Sequence, residues 1–406
     1  MGVLAVTGGK PVRQREFLRW PHFDETEIRA VEEVVRSGKW WRYEGTEVAS
    51  FEKEFAAYHQ AQFAIAVTNG TAALELPLAA RGIGPGDEVI VPSYTFVASA
   101  TAIAVLGATP VFADVEVDTG NIDPGKLESL VSPRTRGIIP VHFAGYPAEM
   151  DQILAFARKN DLFVLEDAAH GHGGAYRGTR MLGSIGNAGS FSFQASKNIT
   201  AGEGGAVICS DPVLAEKIFS RHTFGRLPGR PWYEHHIMST NTRMTEMQGA
   251  ILRVQLRRLK AQTEERYANG RKLDRAVAGI PGMRAMRHDE ATASRRSFHL
   301  HMSRYAPGVE GVSRETFIKA MNAEGIPVAA GYPYPLYKQP MFQGTARPVR
   351  QECATEDLNQ EGAEALCREV LWLPQNVLLE DGVEDVIRAF CKVAEHPDEL
   401  RSLGRA

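Results

Sequence analysis

The chain has 406 residues, 44% of them hydrophobic and 23% charged, with a formal net charge of -3. That composition suits a globular protein long enough for two domains, and its near-neutral balance gives no electrostatic reason to bind nucleic acid or an anionic membrane. The four cysteines, Cys209, Cys353, Cys367 and Cys391, show no CxxC spacing, the N-terminal stretch lacks an apolar run of signal-peptide length, and no transmembrane-length apolar run occurs. A reduced, cytoplasmic setting with small-molecule partners is therefore expected.

From Ala61 to Ser210 short, almost wholly apolar runs alternate with helical stretches: "FAIAVTNG", "DEVIVPSYTF", "TPVFADVEV", "GIIPVHFAG", "LFVLEDAAH", "GSFSF" and "GGAVICS". Runs apolar on both faces, with helices between them, predict a largely parallel α/β sheet covered by helices. Ligands of such sheets collect beyond the carboxyl ends of the strands, so Asn69, Ser93, His142, Asp167 and Ser192 are expected to converge there. After the sheet, "GRLPGRPWYEHH" reads as a loop. Met247, Ala250, Ile251 and Val254 then recur with helical spacing, in a helix expected to run through "RRLKAQTEERY" and bridge to a second unit. A boundary near residue 265 separates an N-terminal arm and large domain, 1–265, from a smaller α+β domain, 266–406.

Within "FSFQASKNITAGEGG", Lys197 stands among Phe191, Phe193 and Ile199. Apolar surroundings push an ammonium toward its neutral, nucleophilic form, as in lysines that form Schiff bases; a lysine snorkelling from a strand end is equally compatible with this window. In "VTNGTAALELPLAARG", Asn69, Gly70 and Thr71 lead into a helix expected near Ala72. Its N-terminus could receive a phosphate at Gly70, or Thr71 could simply cap it. Asp167 closes "LFVLED" and calls for a cation such as a pyridinium nitrogen, unless it caps the next helix or meets an arginine. Phe96 could stack on a flat ring or belong to the core, and Ser192 could donate to a phosphate or to backbone. His142, His170 and His172 lack carboxylate and cysteine partners at ligand spacing, so no metal site is expected.

These segments, together with "GGKPVR", "SGKWWRYEGTEVASFEKEFAAYHQA", "GATPVFADVEVDTGNIDP", "EDAAHGHGG" and "NTRMTEMQGAIL", resemble the fold-type I pyridoxal phosphate enzymes. Among those the chain resembles the DegT/DnrJ/EryC1/StrS family of sugar and cyclitol aminotransferases over nearly its whole length. The resemblance implies a large domain with a mostly parallel seven-stranded sheet, a smaller C-terminal α+β domain, and pyridoxal 5'-phosphate as cofactor. Lys197 matches the lysine that forms the imine and Asp167 the aspartate paired with the pyridine nitrogen. Gly70, Thr71 and Ser192 match phosphate binders, Phe96 the stacking aromatic, and His170 a position near the phenolic oxygen that is often glutamine. Asn241 matches an asparagine reaching the neighbouring subunit's phosphate, which implies a homodimer with shared sites. Arg243 is expected to clamp the amino donor's carboxylate, and Trp41 and Arg42 of "SGKWWR" to lie at the substrate.

The implied activity moves an amino group from glutamine or glutamate to a ketone on a sugar or cyclitol, in amino-sugar, aminocyclitol or antibiotic biosynthesis. "SGKWWR" and "WLPQNVLL" resemble most the branch of inosose aminotransferases and 3-amino-5-hydroxybenzoate synthases. An aromatising synthase is the alternative reading. A dehydratase is disfavoured by Lys197, and a non-catalytic cofactor-binding regulator by the absence of a basic helix-turn-helix.

Overall fold

The computed structural model describes residues 2–306, 311–343 and 360–403; Cys353 lies outside them. An N-terminal arm leads to α1 (Glu25–Ser37) and α2 (Glu47–Tyr58). Alternating elements follow: β1 (Phe63–Val67), α3 (Gly70–Arg81), β2 (Glu88–Pro92), α4 (Ala98–Ala104), β3 (Thr109–Ala113), β4 (Thr135–Ile138), α5 (Met150–Lys159) and β5 (Phe163–Asp167). A short hairpin, β6 (Ala175–Tyr176) and β7 (Arg180–Met181), precedes β8 (Ala188–Ser192), β9 (Gly205–Cys209) and α6 (Pro212–His222).

The seven apolar runs become one seven-stranded sheet, ordered β1-β9-β8-β5-β4-β2-β3. From β8 to β3 the neighbours are parallel, whereas β9 is antiparallel to both β8 and β1. Alternate side chains enter cores on opposite faces, as the sheet's period of two requires. On β2, Val89 and Val91 pack with Ala102 and Ile103, while Ile90 packs with Ile138, Met150 and Ile153. The large unit is α/β, built on a mostly parallel seven-stranded sheet.

The helix read from Met247 to Val254 is α7 (Glu246–Ala278), 33 residues and thus about 50 Å long. Its first half packs Leu252, Leu256 and Leu259 against Phe51 and Phe55 of α2; its second half sends Leu273 and Val277 into a separate core. Residue 265 therefore lies inside a continuous helix that both cores share. The second core draws on β10 (Met283–Ala285), β11 (Leu300–Tyr305), α8 (Arg314–Ala323), β13 (Val370–Pro374), α10 (Gly382–Ala394) and α11 (Pro397–Leu403); β12 (Ala329–Ala330) is exposed, and α9 (Glu361–Glu369) packs Ala363, Leu366 and Cys367 against Tyr94, Val115 and Phe143 of the large unit. The strands form an antiparallel sheet, β10-β11-β13-β12. Among the described residues no helix is long and apolar enough to cross a membrane.

Candidate active site

The reversal at β9 builds the site. β8 ends at Ser192, beyond the carboxyl end of the parallel strands, and the chain needs residues 193–204 to turn back before Gly205. Lys197 sits on that turn. Pairing places Gly205 opposite both Val67 and Ser192, and Asp167 opposite Ser190, so the ends of β1, β5 and β8 share one edge. Glycine is required where these ends close up. A Cβ on Gly70 would stand 2.6 Å from the Ser192 Cβ, and one on Gly205 would stand 2.3 Å from the Asn69 carbonyl oxygen.

A cavity of ≈ 1270 Å³ opens at this edge, lined by Gly70, Thr71, Phe96, Asp167, His170, Ser192 and Lys197 among others. The α3 N-cap is Asn69, whose Oδ1 accepts from the Ala72 N–H at 2.8 Å. The expected cap at Thr71 is thereby corrected: an asparagine in extended backbone caps one residue before the helix, and among the described residues the Thr71 hydroxyl has no hydrogen-bond partner. The N–H groups of Gly70 and Thr71 precede any intrahelical acceptor and carry the positive end of the helix dipole. Ser192 accepts from the Gln194 N–H at 3.3 Å, so its own hydroxyl proton remains to be donated. Phe96 stands 58% exposed at the mouth, not in the core. Ser93 and His142 turn away into the interior, correcting the expectation that they join this edge; His142 Nε2 meets Glu166 at 2.7 Å.

Burial pushes the Lys197 ammonium down from 10.5 to about 8, against the opposing pull of Asp167. Asp167 is buried and held at both oxygens: Ser99 Oγ donates to Oδ2 at 2.8 Å and the Ala169 N–H to Oδ1 at 3.1 Å. Among the described residues no lysine, arginine or histidine lies within 4.0 Å of its carboxylate. No helix follows Asp167 either, so the arginine and helix-cap alternatives fall away, and a buried carboxylate is left facing the cavity. Neighbouring Glu166 is fully structural, accepting from the N–H groups of Gly183, Ile185 and Gly186.

His170 and His299 stack with centroids 4.1 Å apart. The Ala144 N–H donates to His170 Nδ1 at 3.2 Å, which fixes the proton on Nε2. Burial holds both imidazoles well below their usual range, hence neutral. Trp20 of the arm donates its indole N–H to the Lys197 carbonyl at 3.1 Å and lines the cavity too.

Asn241, Arg243, Trp41 and Arg42 do not line this cavity. Arg243 donates to Thr223 Oγ1 at 3.1 Å, lies 5.3 Å from the Phe224 ring centroid and 5.9 Å from that of Trp41, and has no carboxylate within 4.0 Å among the described residues. Asn241 is exposed, its Oδ1 accepting from the Arg243 N–H. It does not cap α7, because Thr245 and Gln248 form that capping box. Arg42 is engaged within the protomer: its two Nη atoms each lie 3.0 Å from a Glu52 oxygen in a buried pair. Trp232 and Tyr233 of the preceding loop are 65% and 80% exposed.

The model of the DegT/DnrJ/EryC1/StrS aminotransferase family matches residues 21–391. The chain belongs to this family. It is 38% identical to the 3-amino-5-hydroxybenzoate synthase of Amycolatopsis mediterranei (strain S699), covering 90% of this chain and 93% of that one. It is 34% identical to the L-glutamine:2-deoxy-scyllo-inosose aminotransferase of Micromonospora echinospora, covering 99% and 100%. Among solved structures, 3-amino-5-hydroxybenzoic acid synthase superposes with a TM-score of 0.88 at 36% identity, covering 97% of this chain and 100% of that one. The protein is accordingly a pyridoxal phosphate-dependent aminotransferase of the sugar and cyclitol family.

The cavity fits that cofactor. A buried carboxylate with no cation within 4.0 Å among the described residues suits a pyridinium, a helix N-terminus pressed against Ser192 suits a phosphate, and a lysine brought near neutrality suits an aldehyde. Sequence reasoning missed what comes from remote segments. Ser99, Trp20 and His299 carried no motif, and Gln375 and Asn376 stood inside "WLPQNVLL" without an assigned role.

Proposed function

We propose that this aminotransferase takes an amino group from glutamine or glutamate and gives it to a ketone on a sugar or cyclitol ring. One observation carries the reading: Lys197, shifted to about 8 by burial, shares a cavity with Asp167, a carboxylate that no described cation neutralises. The cofactor, when bound, supplies an aldehyde for amines to engage and a pyridinium ring that takes up carbanion electrons. Asp167, fixed by Ser99 and the Ala169 N–H, keeps the ring nitrogen protonated. Gly70 and Thr71 N–H groups with the Thr71 and Ser192 hydroxyls hold the phosphate, and Phe96 covers the ring. His170 offers its Nε2–H to the phenolic oxygen. Lys197 Nζ, once free, is basic enough to take a proton from one carbon and acidic enough to return it to another near neutral pH.

A homodimer with shared sites completes the proposal. Asn241 and Arg243 then act in the partner's cavity, on the phosphate and on the donor's carboxylate. Two features support this: an arginine without a carboxylate, and the exposed aromatics beside it.

The test loads the protein with cofactor and follows its visible absorbance. Glutamine or glutamate should discharge the band, and an inosose or keto-sugar nucleotide should restore it. Failure of both donors to discharge it would refute transamination. A second reading, aromatising synthesis of an aminohydroxybenzoate, is favoured by the 36% identity to the synthase structure. Aminodehydroshikimate would then yield an aromatic ultraviolet product with no amino donor present.

A further inference from the structure

The wall that the smaller unit contributes to the cavity is polar, uncharged and fixed in its hydrogen-bonding sense. Arg266 is fully buried, and its Nε donates to Gln375 at 2.6 Å. A guanidinium can only donate, so the Gln375 atom it meets is Oε1 and the amide nitrogen is turned the other way. Gln375 lines the cavity, and its Nε2 has no hydrogen-bond partner among the described residues. Asn376 is fixed in the opposite sense: its Nδ2 donates to the Leu18 carbonyl at 2.8 Å, leaving Oδ1 as an acceptor in the same cavity. His299 adds another acceptor. Asn198 Nδ2 donates to the Ser297 carbonyl at 2.9 Å, so Asn198 Oδ1 faces His299 Nδ1 at 3.2 Å and must receive its proton, which leaves Nε2 bare.

A ring hydroxyl both donates and accepts, so a wall of alternating amide N–H, amide oxygen and imidazole nitrogen matches a polyol. The wall itself carries no cation for a diphosphate. The charged side chains lining the cavity are Lys197 and three carboxylates, Glu75, Asp167 and Glu203, and no arginine is among the described lining residues. Within one protomer a diphosphate therefore meets no guanidinium to pair with.

We propose that Gln375, oriented by Arg266, is a specificity-determining residue that donates to a ring hydroxyl of the ketone, and that with Asn376 and His299 it selects an uncharged polyhydroxylated ring over a keto sugar carrying a nucleoside diphosphate. The inference rests on the aminotransferase reading above and names its acceptor class. It uses "WLPQNVLL" through its chemistry: β13 carries the chain to the cavity, and the next two residues present opposite amide ends.

The test uses cofactor-loaded wild type, Gln375→Leu and Gln375→Glu. Gln375→Glu keeps an acceptor for Arg266, so it carries the test if Gln375→Leu fails to fold. The donor step is read as loss of the visible band with glutamine or glutamate, the acceptor step as its return with 2-deoxy-scyllo-inosose or a thymidine-diphosphate keto sugar. Unreactive scyllo-inositol is titrated calorimetrically into the loaded protein as a direct binding probe. Expected are a wild type that prefers the inosose, variants whose KM for it rises about tenfold while the donor step stays within about twofold, and a matching loss of scyllo-inositol affinity. Preference for the nucleotide sugar, or unchanged KM and inositol binding in Gln375→Glu, would overturn the inference. A wild type with no donor step would instead overturn the aminotransferase reading.

Discussion

Replacing Lys197 with methionine should make the cofactor-free protein more stable while abolishing its chemistry. Methionine keeps the length and flexibility of the side chain but removes the charge. The magnitude follows from the lysine's fall from 10.5 to about 8, which corresponds to about 3 kcal/mol taken as a ceiling because the side chain is only half-buried. The pH window is set by the same two values. Because the folded-state value is depressed, the penalty is fully present below about pH 8, where both states are protonated. It fades between about 8 and 10.5, where only the unfolded chain holds the proton. At pH 7 the variant should therefore melt higher by up to roughly 5 °C, and the gap should shrink steadily above pH 8. The assay is thermal unfolding of wild type and Lys197→Met, both stripped of cofactor, at half-unit steps from pH 6.5 to 10. A gap that is constant across this range, or of opposite sign at pH 7, would refute the claim that burial strains the ammonium.

The same shift governs cofactor capture, which needs the neutral amine: its rate in cofactor-free protein should rise with pH and level off past about 8, not near 10.5. Stopped-flow absorbance checks this. Asp167→Asn should fold and bind cofactor yet lose at least about a hundredfold in turnover, since an amide cannot hold the ring nitrogen protonated. Ser99→Ala, which removes the 2.8 Å bond to that carboxylate, should lower turnover about tenfold with cofactor still bound. Co-refolding Lys197→Ala with Asn241→Ala should restore up to about half of wild-type activity per heterodimer if sites are shared, one site then carrying both lesions and the other neither. No recovery in a demonstrated heterodimer would confine Asn241 to its local contact with Arg243.

Much of the fold was legible because burial on both faces of a strand leaves a simple mark. Each of the seven apolar runs became a strand of one sheet. The reversal of β9 left no such mark, since an antiparallel strand buried on both sides has the same composition as a parallel one. It is readable only from the connection: residues 193–204 contain turn glycines but no helix that could cross back over the sheet. The cap of α3 was misplaced by two residues for a related reason. Asparagine and threonine both cap helices well, and only the backbone conformation at Asn69 decides between them.

The site divides along the same line. Asp167, Gly70 and Ser192 each end a strand or open a helix, and Lys197 lies on the turn that follows Ser192, so the sheet brings all four to one edge whatever lies between. The Arg42–Glu52 pair could not be read, because Glu52 lies on the next helix and sequence spacing does not reveal a buried pair. The substrate-facing wall is harder still. Gln375 is informative only once its oxygen is seen on Arg266, 109 residues earlier, and His299 only once Asn198, 101 residues earlier, fixes its proton. What a polar side chain offers a ligand is whatever its protein partners leave over. Lys197 stands out by its neighbours in the chain, whereas Gln375 and His299 are oriented by neighbours in space. The three variants at positions 375 and 167 thus probe different kinds of knowledge: Asp167→Asn tests a role carried by the sheet edge, and Gln375→Leu and Gln375→Glu test one that exists only through Arg266.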